Sequence, residues 1–547
     1  MDRVVVEIGR RGRLVVGEPF FTPGVPLVLE SRGLGELGPG DLAVVRTGRG
    51  RARVERPLGS ARRIENVLEA LLVEQGARVE FEPYDPPEPS FEGRVDLREL
   101  TTYTVDPETA KDFDDALSFR REDGGIRAWV HIADVSYFVP AGSPPDYGAA
   151  ERALSTYVPG LVAPMLPPEL ADDLCSLRPH VDRLAVTVEL PPRGEPSFYR
   201  SVIRSDARLT YGQAERCEAS AEIVEQLALN DELASALRRR RFARSALQVS
   251  TPEVVFRFEN GRVAQAWLEG EPHAHTLVEE LMILANERVA EFLAARNRNA
   301  LYRVHERPDP QAVELLVAKL TDLGVPTPPV PEHLSPQAAA ALTGEISRVV
   351  TEYATQSGRG KEAFPALVLR ALKQARYDPH NLGHSGLASP AYCHFTSPIR
   401  RYPDLVVHRA LLLDLGQGDD PVPEDLDELA VRTSTRERAA AQVEYLADEI
   451  CLAWLLERRL FEEGWEAEFD GEIVGAIGSG IFVRFDTVFE GYVPARKLPG
   501  DYFELNPLAT ALVGRRSGFS YRLGDGIRVR IERIEKPGGR VSLELGG

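Results

Sequence analysis

Thr104-Val105-Asp106-Pro107-Glu108-Thr109-Ala110-Lys111-Asp112-Phe113-Asp114-Asp115-Ala116 places four aspartates within ten residues, in the spacing Asp-x5-Asp-x-Asp-Asp. Carboxylates gathered this tightly repel one another, and burying them is costly unless something neutralises them. A hard divalent cation does so, since magnesium takes a few carboxylates together with waters and substrate phosphates. The flanks predict a built site. Thr101–Val105 is β-prone, Leu117-Ser118-Phe119 follows the cluster, and Trp129–Asp134 is a further strand candidate whose Asp134 reads as a supporting or structural group. An exposed acidic turn would carry the same spacing. A calcium loop does not fit, because the EF-hand glycine and terminal glutamate are absent.

Four carboxylates suit two-metal phosphoryl chemistry. Two ions about 4 Å apart can clamp one phosphate, activating a water and stabilising the leaving oxygen. The transition state gains charge that an arginine can offset. A candidate lies far along the chain in His394-Phe395-Thr396-Ser397-Pro398-Ile399-Arg400-Arg401-Tyr402-Pro403-Asp404. Guanidinium binds phosphate bidentately, although a structural ion pair would use the same residues. The run Arg238–Arg241 reads as a solvated helix face rather than an RNA contact.

Working outward, the expected division is an N-terminal module over 1–82, a Pro-rich linker over 83–92, a large mixed α/β domain over 93–462 and a β-rich segment over 463–547. Val4–Val6, Leu14–Val16, Leu27–Leu29 and Leu42–Val45 are short β-like runs, and Ile64, Val67, Leu68, Leu71 and Leu72 recur at helical spacing. This predicts a small barrel followed by a helix, with a winged helix as the alternative. Arg49, Arg51, Arg53 and Arg56 are expected on one strand face. Pro83-Tyr84-Asp85-Pro86-Pro87-Glu88-Pro89 predicts a stiff spacer. Long helices are predicted over His275–Arg296 and from Asp425 toward Leu460. Glu468–Val474, Gly480–Asp486, Phe489–Val493, Gly526–Glu535 and Arg540–Leu545 give five short strands, the pattern of an OB barrel. Phe482, Phe485, Phe489 and Tyr492, with Arg484 beside them, suit base stacking and phosphate contact, or half of them are barrel core.

A chain of 547 residues exceeds one hydrophobic core, so several domains are expected. The net charge of −19 argues against nucleic acid only if it is uniform, and it is not. Residues 1–63 hold twelve arginines against seven acids, and 495–540 hold ten basic residues against five acids. Both ends are therefore basic. The four cysteines, Cys175, Cys217, Cys393 and Cys451, are scattered, which excludes a disulfide framework or zinc ribbon and predicts buried thiols. No run is long enough to span a bilayer, and Met1-Asp2-Arg3-Val4 lacks a secretory pattern, so a cytoplasmic protein is expected.

These residues resemble the ribonuclease II / ribonuclease R family across almost the whole chain. Beside the aspartate cluster, the matching blocks are Tyr157-Val158-Pro159-Gly160, Pro164-Met165-Leu166-Pro167, Leu174-Cys175-Ser176-Leu177, Glu279-Glu280-Leu281-Met282 with Ala285-Asn286-Glu287, Tyr302-Arg303-Val304-His305-Glu306, Leu369-Arg370-Ala371-Leu372 and His394 through Arg409. The resemblance implies a multidomain α+β fold: a catalytic RNB domain between a small N-terminal nucleic-acid-binding module and a C-terminal OB barrel of the ribosomal S-one type. It implies a processive 3′→5′ hydrolase that degrades single-stranded RNA to 5′-mononucleotides, with an RNA-binding regulator carrying an inactive nuclease domain as the alternative. Asp106, Asp112, Asp114 and Asp115 would hold two Mg²⁺ ions, with Mn²⁺ able to substitute. Asp114, Asp115 and Arg400 would be catalytic, and Tyr157, Arg400 and Arg401 would contact RNA. A monomer without an obligate protein partner or membrane is implied. The chain departs from the family pattern at His384-Ser385-Gly386, at Val443-Glu444-Tyr445, and in having room for only one N-terminal module where two cold-shock barrels are usual.

Overall fold

A computed structural model describes residues 3–546 apart from 31, 33, 49, 78–79, 249–251 and 271. The chain opens with β1 (Arg3–Arg11), β2 (Leu14–Pro19), β3 (Leu27–Val28), β4 (Asp41–Arg46) and β5 (Arg53–Ser60), paired in the order β3-β2-β1-β4-β5. A parallel bridge from Leu29 to Ala52 brings the end of β3 to β5, so the sheet curls almost shut. Val6, Ile8, Ala43, Val45 and Val54 fill its interior. The helix α1 (Ile64–Glu74) then buries the apolar positions seen at helical spacing. A barrel followed by one helix results, and not a winged helix. Arg49 lies outside the described residues. Arg51 precedes β5, and Arg56 turns to an ion pair with Glu69 of α1 instead of joining Arg53 on one face. The cause is local, because the β4–β5 register shifts twice. The Pro-rich segment lies against the next domain: Tyr84 donates to the Phe138 carbonyl (3.0 Å) and Tyr137 to that of Glu88 (2.7 Å).

The next strands are β6 (Val95–Asp96), β7 (Tyr103–Val105), β8 (Asp115–Glu122) and β9 (Gly125–Ala133), a hairpin of β10 (Thr156–Val158) and β11 (Leu161–Ala163), then β12 (Asp182–Leu190), β13 (Ser197–Arg204) and β14 (Ala207–Leu209). Seven of them form one mixed sheet in the order β14-β7-β8-β9-β12-β13-β6, antiparallel at its centre and parallel at both edges. Helices Ala221–Ala243 and His273–Ala295 cover one face with Leu227, Leu281 and Val289. Helix Tyr402–Asp414 is buried from Tyr402 to Leu412 and divides its apolar residues between two cores. A hydrogen-bonded row crosses the sheet interior: Thr102 to Ser118 (2.7 Å), Ser118 to His131 (3.1 Å), His131 to Thr187 (2.9 Å) and Thr187 to Ser201 (2.6 Å). It satisfies groups that would otherwise be stranded. Two further hairpins follow, β15 (Glu253–Glu259) with β16 (Arg262–Glu269) and β17 (Tyr302–Val304) with β18 (Arg376–Asp378).

The long helix Leu426–Glu463 leads to the last segment. There β19 (Glu468–Ile477), β20 (Gly480–Phe485) and β21 (Phe489–Pro494) precede a separate three-stranded sheet of β22 (Phe503–Leu505), β23 (Ala511–Gly514) and β24 (Ser520–Arg522), and β25 (Gly526–Glu535) and β26 (Arg540–Leu545) complete a closed barrel in the order β19-β20-β21-β26-β25. This repeats the connectivity of the N-terminal barrel. Glu472 of β19 accepts the backbone N–H groups of Lys361 (3.0 Å), Glu362 (3.2 Å) and Ala363 (2.9 Å), at the start of helix Ala363–Arg370. A carboxylate there also complements the helix dipole and fixes the barrel to the preceding domain. One continuous core joins α1, the long helix and this barrel. Among the described residues no helix is long and apolar enough to cross a membrane. Cys175, Cys393 and Cys451 are buried as expected, whereas Cys217 is exposed.

Burial pushes the His131 imidazole down to about 3, so it stays neutral when folded. The unfolded chain takes up a proton below about pH 6.5, so stability falls as pH drops below that value, by about 1.4 kcal/mol per pH unit for this group. Denaturant melts at pH 6.5 and pH 5 should therefore differ less in His131→Gln than in the natural protein, by about 2 kcal/mol. Equal pH dependence in both would remove His131 from the acid response.

Candidate active site

The four aspartates sit where β7 ends and β8 begins. Asp106 leaves β7 with its N–H bonded to the Leu209 carbonyl (3.0 Å). Asp115 opens β8 opposite Ile132 of β9. The loop between them is held from outside by Ser176, whose hydroxyl accepts from the Phe113 N–H (3.0 Å) and donates to the Lys111 carbonyl (2.6 Å), while the Leu177 N–H reaches the Phe113 carbonyl (2.9 Å). That is the work of the block Leu174–Leu177.

Asp114 is almost wholly buried. Its Oδ1 accepts the Ile399 N–H (2.8 Å), and its Oδ2 lies 3.4 Å from Arg400 Nε. Asp106 Oδ2 and Asp114 Oδ2 are both buried with no hydrogen-bond partner. Burial pushes Asp106 up to about 6, against the pull of Arg208 and Arg400. Burial and the charge of Asp106 push Asp115 up to about 7, and burial drives Asp114 well above the carboxylate range. The arginines alone do not compensate this cluster. Orphaned carboxylate oxygens with raised proton affinity are what a cation site leaves when only protein atoms are counted. Among the described residues no group of three or more His, Cys, Asp or Glu side chains is placed to hold a metal ion by itself, so a cation here would need waters and a substrate phosphate to complete its shell. The residues present therefore fit a hard divalent metal.

Tyr157 stands on β10, partly exposed. Its hydroxyl donates to Asp112 Oδ2 (3.1 Å) and its N–H to Glu444 Oε1 (2.8 Å). Gly160 has φ +78° in the β10–β11 turn, a conformation that favours glycine and accounts for the Tyr-Val-Pro-Gly block. Arg400 keeps about half its side chain exposed. Arg401 is bonded to Asp404, which accepts both Nε (2.9 Å) and Nη2 (2.7 Å), while its charge still acts on Asp115. Asp134 is structural, clasped by Arg94 (2.7 Å) and Arg200 (3.0 Å).

Two features escaped the sequence reading. Tyr211 lies close enough to Asp115 and Asp106 that their charges, after burial, raise its phenol, and its ring rests 5.3 Å from that of His275. The capping box Thr210-x-x-Gln213 places it on the first helical turn and was visible. Glu444 and Asp448, one turn apart on the long helix, add a carboxylate wall beside Tyr157, where burial and Glu444 push Asp448 up to about 7. The run Arg238–Arg241 is not uniformly solvated: Arg241 is buried against Glu280.

In the C-terminal barrel Phe485 and Phe489 are core, each 1% exposed. Phe482 and Tyr492 face outward with ring centroids 5.1 Å apart, and the register continues the row through Ser542 to Arg533. Arg484 is engaged by Glu490 (3.1 Å).

The RNB domain family matches residues 94–416. Ribonuclease R of Escherichia coli (strain K12) is 36% identical over 487 residues, covering 84% of this chain and 58% of its own length. Ribonuclease R of Aquifex aeolicus is 37% identical over 488 residues, covering 85% and 67%. The chain thus spans about three fifths to two thirds of these relatives. The solved structure of Mycoplasma genitalium RNase R in complex with ribose methylated single-stranded RNA shares the fold, with a TM-score of 0.87 at 24% identity, over 99% of this chain and 89% of that one.

The barrel geometry separates two roles. Phe485→Ala should lower unfolding stability by about 3–5 kcal/mol, whereas Phe482→Ala and Tyr492→Ala should stay within about 1 kcal/mol and weaken RNA binding instead. Equal destabilisation in denaturant melts would place all of them in the core.

Proposed function

The chain belongs to the RNB-domain ribonuclease R family, and from that premise we propose that it is a processive 3′→5′ exoribonuclease that hydrolyses single-stranded RNA to nucleoside 5′-monophosphates. The observation that carries this is the cluster of four aspartates, two with orphaned buried oxygens, facing the half-exposed Arg400 and the Tyr157 ring.

Asp106, Asp112, Asp114 and Asp115 would hold two Mg²⁺ ions, or Mn²⁺ in their place. When bound, such ions activate a water and offset charge on the leaving 3′-oxygen. The protein's own groups do the rest. Arg400, with Nε 3.4 Å from Asp114 and Nη2 donating to Ser397 Oγ (3.4 Å), presents its half-exposed guanidinium to the scissile phosphate and offsets the charge gained in the transition state. Asp114 and Asp115 orient the reacting phosphate and its water. Tyr157 stacks on a base near the 3′ end, which an aromatic face does for any sequence, while its bond to Asp112 ties that grip to the site. The work divides as 1–82 and 463–547 for RNA capture, 93–462 for catalysis and 83–92 as connector. Within them the stretches 1–63 and 495–540 each carry a basic excess in an otherwise acidic chain. We assign the protein to the cytoplasm as a monomer whose partner is RNA.

A 5′-labelled single-stranded RNA of about 30 nucleotides should be shortened to one small labelled product in Mg²⁺, with mononucleotides released, and stay intact in EDTA. RNA that is bound but uncut would favour a binding protein with an inactive site. Asp114→Asn should lower turnover by roughly a hundredfold or more with RNA affinity kept. Hydrolysis at the natural rate would remove Asp114 from the mechanism. Tyr157→Ala should lengthen the final labelled product, and an unchanged product would reduce Tyr157 to packing.

A further inference from the structure

Two arginines stand side by side at 400 and 401, yet they are held differently: Arg400 is about half exposed with only long contacts, to Asp114 (3.4 Å) and Ser397 Oγ (3.4 Å), whereas Arg401 is tightly bonded to Asp404. The turn that carries them is tied at several points. The Ser397 N–H donates to Asp404 Oδ1 (2.8 Å), and the Ile399 N–H to Asp114 Oδ1 (2.8 Å). The Arg401 N–H returns to the Ser397 carbonyl (3.0 Å). Just upstream, Asn286 Oδ1 accepts the Phe395 N–H (2.9 Å) and Nδ2 donates to Tyr392 (3.1 Å). Downstream, the Arg400 carbonyl accepts the Ser155 N–H (2.9 Å), joining the turn to the strand of Tyr157.

Asp404 is the hub of this web. It is fully buried on the first turn of helix Tyr402–Asp414. One carboxylate holds both the start of the turn and the Nε–Nη2 edge of Arg401. A planar fork so bonded is fixed in direction. With Arg401 held, Arg400 is the guanidinium left beside Asp114.

We propose that Asp404 is a positioning residue that, by capturing Arg401 and the Ser397 N–H, selects Arg400 as the phosphate-facing arginine. The idea rests on the role given to Arg400 above. Asp404 touches no substrate and acts through the turn.

The test measures kcat and KM of the full chain on labelled RNA in Mg²⁺ for Asp404→Asn, Arg400→Ala and the double variant, with circular dichroism confirming the fold. Asp404→Asn keeps an oxygen for Ser397 and weakens the grip on Arg401. It should lower kcat roughly tenfold with KM within about threefold, and add less than about twofold in the Arg400→Ala background, since residues acting as one unit are not additive. Arg401→Lys, which keeps the charge without the fork, should behave likewise and serves if Asp404→Asn does not fold. A natural kcat in either folded variant, or losses that multiply in the double variant, would overturn the proposal. A natural kcat in Arg400→Ala would overturn the role of Arg400 and this inference with it, whereas RNA left uncut by the natural protein would instead reject the functional reading.

Discussion

Four carboxylates crowded where β7 ends and β8 begins are an unfavourable arrangement that the surrounding structure holds in place. Asp106 and Asp114 each bury an oxygen without a hydrogen bond, and Asp115 takes up protons more readily than an ordinary carboxylate. Such repulsion persists only where the surroundings fix every member. Here β7 and β8 fix the two ends, Ser176 fixes the loop, and the backbone of Ile399 fixes Asp114. The cluster brings together residues nearly three hundred positions apart, which explains why the turn at 397–401 is so thoroughly bonded.

Positioning also governs the flanking parts. The two barrels share one strand connectivity, and neither is tethered loosely. The N-terminal barrel is joined through α1 to the long helix, and the C-terminal barrel through Glu472 to the start of helix Ala363–Arg370. On the proposed function, mounting of this kind would leave less ordering to be done when an RNA strand binds.

Much of this was legible in the sequence, for local reasons. The aspartate spacing points to a site because four acids in ten residues between β-prone flanks are costly to bury unless something offsets their charge. The five barrel strands were visible because their alternation and glycines are local signals, and Gly526–Glu535 and Arg540–Leu545 form as predicted. What was hidden depended on register or on distant partners. Alternation along β20 separates Phe482 from Phe485, but that Phe489 joins the core depends on its pairing opposite Phe485 across a turn with positive φ at Asp486 and Thr487. Arg241 is buried by Glu280, from a different helix. The small sheet of β22–β24 lies between the predicted strands Phe489–Val493 and Gly526–Glu535 and adds to the five expected there. Arg401 was half legible: the i, i+3 spacing to Asp404 was on view, but only the fold shows that Asp404 is fully buried and shared between Arg401 and the Ser397 N–H.

The claim on which everything else depends is that these four aspartates bind divalent cations. Mn²⁺ binding, followed by electron paramagnetic resonance on the natural protein and on Asp106→Asn without RNA turnover, tests it directly. The account predicts saturable binding approaching about two ions in the natural protein and loss of at least one in the variant. Identical binding curves for both proteins would contradict it.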